Sequence, residues 1–235
     1  MKRKLFIAQI CFTWMFAFTL YDDLIPMTFD GQVLDKPFLG GFNCPRIQWL
    51  DWDMDGDTDL FLLDADGYIR YIENQGSASL PDFHLVTTSF YEIFCGDCIQ
   101  GWFYFADFDA DGDLDLTTQN EDDRDHVSYF RNSWGELTFI EALSDLNGGY
   151  VTSSSVMTPT FADIDNNGSM DFFTGNSVGT LTYYNNTGLY NGLPRLEFIT
   201  NTWEDIYIVG PTNLDGEDDR HGASAITFID LDDDG

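Results

Sequence analysis

Four stretches of this chain place an oxygen-bearing side chain, mostly a carboxylate, at every second residue around a glycine. They are Asp51-Trp52-Asp53-Met54-Asp55-Gly56-Asp57-Thr58-Asp59, Asp107-Phe108-Asp109-Ala110-Asp111-Gly112-Asp113-Leu114-Asp115, Asp163-Ile164-Asp165-Asn166-Asn167-Gly168-Ser169-Met170-Asp171 and the shorter Asp230-Leu231-Asp232-Asp233-Asp234-Gly235. A hard cation such as Ca²⁺ takes about six to eight oxygen ligands in flexible geometry, and a tight loop with alternate acids supplies them. The glycine at position 6 permits the sharp turn.

The charge balance agrees. The 235 residues carry 41 acidic and 10 basic side chains, a formal net charge of −31. Nucleic acid and anionic membrane surfaces are poor partners for such a chain. An acid run is commonly a solvated face. Here the acids repeat in one fixed pattern between apolar segments, which favours bound cations. The composition, 43% apolar and 16% aromatic, is ample for a packed core.

Residues 1–20 read as a secretory signal or, failing cleavage, an N-terminal anchor. Lys2-Arg3-Lys4 precedes an uncharged apolar run from Leu5 to Leu20, which is short for a membrane span. The expected location is therefore secreted or cell-surface, where calcium is plentiful. An oxidising compartment makes one disulfide plausible among Cys44, Cys95 and Cys98, with the pairing open. Cys95-Gly96-Asp97-Cys98 has zinc or redox spacing, but neither a second such pair nor a nearby His pair supports it.

The elements that must position the acidic loops recur with them. Asp51 to Asp107 and Asp107 to Asp163 are each 56 residues, and Asp163 to Asp230 is 67. Gly67 and Gly179 lie 16 residues after the first Asp of their loops, and Asn74 and Asn186 lie 23 after it. Gly76 and Gly188 lie 25 after it; in the second unit Asn132 and Gly135 fall at 25 and 28. Short alternating apolar runs fill the intervals. In the first unit they are 46–50, 60–63, 68–72 and 83–87; in the second, 102–105, 114–118, 127–130 and 137–140. In the third they are 158–162, 170–174, 180–184 and 196–200, followed by 206–209 and an acidic loop, 213–220. Residues 225–229 open a fourth unit. No window has helical period.

Four strands per unit at this period predict an all-β chain: a β-propeller of four-stranded antiparallel blades. Three full blades and the start of a fourth are expected, an incomplete propeller. The boundaries are an N-terminal segment 21–45, blade 1 at 46–101, blade 2 at 102–157, blade 3 at 158–224 and the start of blade 4 at 225–235. An EF-hand is excluded, because position 12 is Leu62, Thr118 or Thr174 and the flanks are strand-like.

The run from Pro159 to Asn176, with its continuation Gly179 to Gly188, resembles an FG-GAP/VCBS-type repeat, the unit of integrin-α-like calcium-binding propellers. The resemblance covers roughly residues 40–235. It implies one structural Ca²⁺ per loop, between the first and second strands of each blade. Side chains of Asp51, Asp53, Asp55 and Asp59 would hold one ion, helped by the Asp57 carbonyl. Asp107, Asp109, Asp111, Asp113 and Asp115 match in the second unit, and Asp163, Asp165, Asn167, Ser169 and Asp171 in the third, where neutral Asn167 should weaken the site. Asp230, Asp232 and Asp234 match in the fourth. Propellers of the integrin type have seven blades, so a chain ending at Gly235 is expected to be an N-terminal fragment.

Nothing sets one carboxylate apart as an acid or base, and no Ser or Cys nucleophile motif appears. His84 lies on a strand; His126 and His221 lie in acidic loops. The chain is therefore expected not to be an enzyme. It should be a binding or adhesion module for an extracellular protein or glycan at the cell surface or in the matrix. The alternative is the propeller part of a secreted carbohydrate-active enzyme or a lectin. Trp49 and Trp102, on strands, are expected in the core. Trp52, Trp134 and Trp203, in loops and turns, are expected at the surface.

Overall fold

The computed structural model describes residues 28–33, 41–43, 45–93, 101–133, 135–154, 157–208 and 225–229. Residues Met1–Gly41 and Phe42–Gly235 are separate units. In the first, β1 (Thr28–Phe29) and β2 (Gln32–Val33) form an antiparallel hairpin.

The second unit holds three four-stranded antiparallel sheets, each a meander in chain order. Sheet 1 is β3 (Arg46–Leu50), β4 (Asp59–Leu63), β5 (Tyr68–Asn74) and β6 (Phe83–Glu92). Sheet 2 is β7 (Phe103–Ala106), β8 (Asp115–Gln119), β9 (Val127–Ser133) and β10 (Glu136–Ala142). Sheet 3 is β11 (Thr160–Ala162), β12 (Asp171–Gly175), β13 (Leu181–Tyr190) and β14 (Leu193–Thr200). The acidic stretches sit at equivalent places. Leu50 pairs with Asp59, Ala106 with Asp115 and Ala162 with Asp171, so each stretch joins its sheet's first two strands.

Sheet 2 is buried on both faces, which explains why every residue of β8 is buried. On one side Phe103, Phe105 and Leu116 meet Phe61, Leu63, Ile69 and Tyr71 of sheet 1. On the other, Ala106, Val127 and Tyr129 meet Phe161, Phe172, Tyr184 and Leu196 of sheet 3. Stacking removes apolar faces from water that a lone four-stranded sheet would leave exposed. The stack is also hydrogen-bonded. Gln48 donates from Nε2 to the Phe105 carbonyl at 2.7 Å and accepts the Phe105 N–H at 2.8 Å. Tyr104 donates to the Phe161 carbonyl at 3.1 Å. Arg46, at the start of β3, reaches Thr158, just before β11, at 3.1 Å. First strands of sheets 1 and 3 therefore approach each other, as blades arranged about an axis require.

Several strands run beyond the sequence expectation. β13 continues to Tyr190 because pairing with β14 resumes past an irregularity between Asn186 and Leu189. It turns at Asn191-Gly192, both with positive φ (55° and 75°), the usual two-residue hairpin chemistry. The apolar run after sheet 3 is no strand over Ile206–Ile208, which follow a 3₁₀ turn, Trp203–Asp205, and are exposed. Residues 225–229 make one bridge, Ala225 to Thr158, and otherwise lack regular structure.

Candidate metal centres

The three described loops share one construction. Position 1 is a hub. Asp51 accepts the N–H groups of Asp55 and Gly56, both at 3.1 Å. Asp107 accepts those of Asp111 and Gly112 at 3.2 and 3.1 Å, and Asp163 those of Asn167 and Gly168 at 2.9 and 2.8 Å. Position 5 accepts the N–H of position 7: Asp55 from Asp57 at 3.1 Å, Asp111 from Asp113 at 2.9 Å and Asn167 from Ser169 at 2.8 Å. Position 4 is left-handed in all three, with φ of 59° at Met54, 59° at Ala110 and 56° at Asn166. Only Asn is at ease there.

Position 9 forms a floor. Asp59, Asp115 and Asp171 are 1%, 0% and 0% exposed. Each accepts three hydrogen bonds. Asp59 takes Trp52 N–H (3.2 Å), Asn74 N–H (2.8 Å) and Tyr71 O–H (3.1 Å). Asp115 takes Phe108 N–H (3.3 Å), Asn132 N–H (2.8 Å) and Tyr129 O–H (2.8 Å). Asp171 takes Ile164 N–H (3.2 Å), Asn186 N–H (2.6 Å) and Tyr183 O–H (3.3 Å). The recurrent Asn thereby acquires a role, and so do its glycines. Asn132 and Asn186 donate side-chain N–H to the carbonyls of Leu114 and Met170. The side-chain oxygens of Asn74, Asn132 and Asn186 accept the N–H of Gly76, Gly135 and Gly188.

Sequence reading missed the tyrosines. Their signal is Tyr-x-x-Asn, three times over: Tyr71 to Asn74, Tyr129 to Asn132 and Tyr183 to Asn186.

Carboxylate oxygens of Asp51, Asp53 and Asp55 lie within 4.8 Å of one another, as do those of Asp107, Asp109 and Asp115, and of Asp163, Asp165 and Asp171. Asp57, Asp59, Asp111 and Asp113 fall outside these groupings. Asp230, Asp232 and Asp234 lie outside the described residues. Two buried oxygens, Asp57 Oδ1 and Asp109 Oδ1, have no hydrogen-bond donor. A buried anionic oxygen without a donor is costly unless a cation serves it. The donor set, all oxygen and mostly anionic, suits a hard divalent cation.

The acids also load one another. Burial pushes Asp115 up to about 6, with Asp109 adding to the rise and the bonds from Asn132 and Tyr129 opposing it. Burial and then the charge on Asp165 raise Asp171, opposed by the N–H groups of Asn186 and Ile164. Asp53 and Asp57 are raised first by desolvation and then by neighbouring aspartates. A bound cation would relieve all four.

The aromatic expectations divide. Trp102 is fully buried, as expected, but Trp49 is 50% exposed beside Phe83. Residues alternate along β3, and Gln48 takes the side facing sheet 2. Trp52 is no surface platform. It packs on Phe61, Phe90 and Phe105 at 5.2–5.3 Å, because position 2 turns its N–H to the floor and its side chain to the core. Trp203 packs on Phe173 and Phe228. His84 lies 3.3 Å from Asp82, and His126 stacks on Tyr150. Trp134, His221, Cys44, Cys95, Cys98 and residues 1–20 lie outside the described residues. Among the described residues no helix is long and apolar enough to cross a membrane.

The FG-GAP-like repeat matches residues 51–118 and again 107–174. Each match begins at position 1 of one loop and runs through the next loop into the strand after it, and the two are offset by the 56-residue period. Together they span more than half of the chain. No curated protein matches it. With this match on the repeated loop and on the strands that hold it, the chain belongs to the FG-GAP-like repeat family.

Proposed function

We propose that the chain is a calcium-stabilised, propeller-like binding module that works outside the cell, at its surface or in the matrix, and is not itself an enzyme. The observation that carries this reading is the loop construction repeated in all three sheets: clustered carboxylates above a hydrogen-bonded floor, with orphaned buried oxygens in loops 1 and 2. FG-GAP repeats often bind Ca²⁺ and are typical of extracellular proteins, which supports both the ion and the location.

The residues that would hold an ion are Asp51, Asp53, Asp55 and Asp57 in loop 1, Asp107, Asp109, Asp111 and Asp113 in loop 2, and Asp163, Asp165, Asn167 and Ser169 in loop 3. The floor aspartates Asp59, Asp115 and Asp171 close each cage from below. Bound calcium would neutralise the crowded acids and pin the first hairpin of each sheet. This employs the carboxylates as structural oxygens, which favours a binding role over catalysis.

A ligand has a candidate seat at the other end of the sheets. A cleft of about 300 Å³ lies between sheets 1 and 2, where β6 and β8 end away from the metal loops. Tyr91, Phe130 and Phe139 offer aromatic faces, and Glu92, Glu121 and Asp122 offer carboxylates, to a protein or glycan.

Thermal melting in excess calcium against EGTA tests the metal. Each loop held at a hundredfold excess over Kd should add about 2.7 kcal/mol. An unchanged Tm, with no calcium by elemental analysis, sinks the proposal. The binding role is tested by the calcium-loaded chain on glycan and matrix-protein arrays, where silence on both counts against it.

A further inference from the structure

Loops 1 and 2 carry the same five aspartates, at positions 1, 3, 5, 7 and 9. On ligand count alone they should bind alike. What separates them stands on the third strand of each sheet, two residues after the floor tyrosine: Glu73 in sheet 1, Arg131 in sheet 2 and Asn185 in sheet 3.

In sheets 2 and 3 this side chain meets position 3 of the loop. Arg131 Nε lies 2.7 Å from Asp109 Oδ2. Its Nη2 donates to the carbonyl of Gly192, in the β13–β14 turn, so the guanidinium is held from both sides. Asn185 Nδ2 donates to Asp165 Oδ2 at 2.9 Å and lies 3.0 Å from the Tyr183 hydroxyl. Glu73 stands at the equivalent place on β5 with the charge opposite to Arg131, and its carboxylate accepts from Gln75 Nε2 at 2.7 Å.

We propose that the residue two positions after the floor tyrosine sets the order in which the loops fill, with Glu73 making loop 1 the tighter site and Arg131 standing in loop 2 as a built-in counter-ion. The proposal rests on the calcium reading above. An arginine on Asp109 already neutralises part of the cage, so a cation entering loop 2 gains less and meets a like charge. Among the described residues no such cation pairs with loop 1, and an acid stands in its place on β5, so the loop's acids depend on the ion. Calcium affinity in loops of this kind is tuned by ligand charge and rigidity. A charge reversal beside otherwise identical ligands should separate the two sites by about tenfold or more. Loop 2, braced to sheet 3 through Arg131, should keep its shape when calcium is scarce, while loop 1 loosens.

Calcium titration of the full chain by calorimetry tests this. Asp51→Asn and Asp107→Asn assign the events by deleting loop 1 and loop 2 in turn. Asp51→Asn should remove a tight event and Asp107→Asn a weaker one. Arg131→Gln should tighten the weaker event by about tenfold, Arg131→Lys should leave it weak, and Glu73→Gln should weaken the tight one. Should Arg131→Gln fail to fold, Glu73→Gln and the two Asn variants still decide. Equal affinities for the deleted events, or the tighter one falling to Asp107→Asn, would overturn the ranking. No binding by the wild-type chain would instead overturn the calcium reading itself.

Discussion

Each acidic loop has a floor and a rim, and the two obey different rules. The floor is the same in all three sheets: an aspartate at most 1% exposed, a tyrosine hydroxyl and two backbone N–H groups. The rim varies. Position 5 is Asp55, Asp111 or Asn167, and position 7 is Asp57, Asp113 or Ser169. Floor oxygens are satisfied by the protein, so their work is done whether or not an ion is present. Rim carboxylates crowd one another and gain most when one is. The floor therefore serves the fold even before an ion arrives, while the rim depends on the cation.

The largest expected effect strikes the floor. Asp115→Ala leaves three donors without their acceptor in a fully buried place, including the Tyr129 hydroxyl. Orphaned buried groups cost about 1–3 kcal/mol each and relax in part, so a loss of about 3–4 kcal/mol is expected. Urea denaturation should report that loss in EGTA and in calcium alike. A loss confined to calcium would erase the distinction between floor and rim.

Asp51→Ala should behave the other way. Among the described residues its carboxylate accepts only the N–H groups of Asp55 and Gly56, both at the exposed tip of the loop. The EGTA form should lose at most about 1 kcal/mol. The calcium increment of loop 1, about 2–3 kcal/mol at a hundredfold excess over Kd, should vanish. The two denaturation curves, with and without calcium, read both numbers.

Acid should separate the two regions again. The Asp115 carboxyl titrates at about 6 in the folded chain, above its ordinary value of about 3.9. Between those values the folded state holds a proton that the unfolded state has released. Its contribution to stability therefore grows as pH falls through about 6, and levels off below about 4. Burial moves Asp171 the same way. In calcium-stripped buffer, denaturation at pH 7.5 and at pH 5 should show a gain at the lower pH on the order of 1 kcal/mol. With calcium present the trend should reverse, because protons compete with the ion for the rim carboxylates. Parallel trends would mean that no cation is bound in this range.

Much of this was legible in the sequence, and the limits were physical. The rim is contiguous in the chain, so its pattern and its 56-residue period could be read directly. The floor is assembled across a hairpin. Tyr71, Tyr129 and Tyr183 look like ordinary inward residues of alternating strands, and only their fixed distance from Asn74, Asn132 and Asn186 marks them. Arg131 was less legible still, since its meeting with Asp109 depends on how β9 folds back over the loop. Trp49 faces outward because sheet stacking decides which side of β3 is covered, and Gln48 holds that side through Phe105, while Trp52, in the loop, turns its ring to the core. The Asn191-Gly192 hairpin was readable from its turn residues alone.

The smallest effect is the most exacting test of the division. Asn167 stands where loops 1 and 2 carry an acid, and charge counting says that its neutrality weakens loop 3. Its side chain has a second task. Nδ2 donates to the Asn186 carbonyl at 2.9 Å, tying the rim to the residue whose own N–H serves the floor. Asn167→Asp restores the acid and deletes that donor. In EGTA the loss should be about 0.5–1 kcal/mol, from one half-buried hydrogen bond and added repulsion from Asp163 and Asp165. In excess calcium the added charge should recover most of it, leaving a net change within about 0.5 kcal/mol and an affinity a few-fold higher. A gain in EGTA would show that Asn167 is no tie at all. A loss that calcium does not repair would place this residue with the floor.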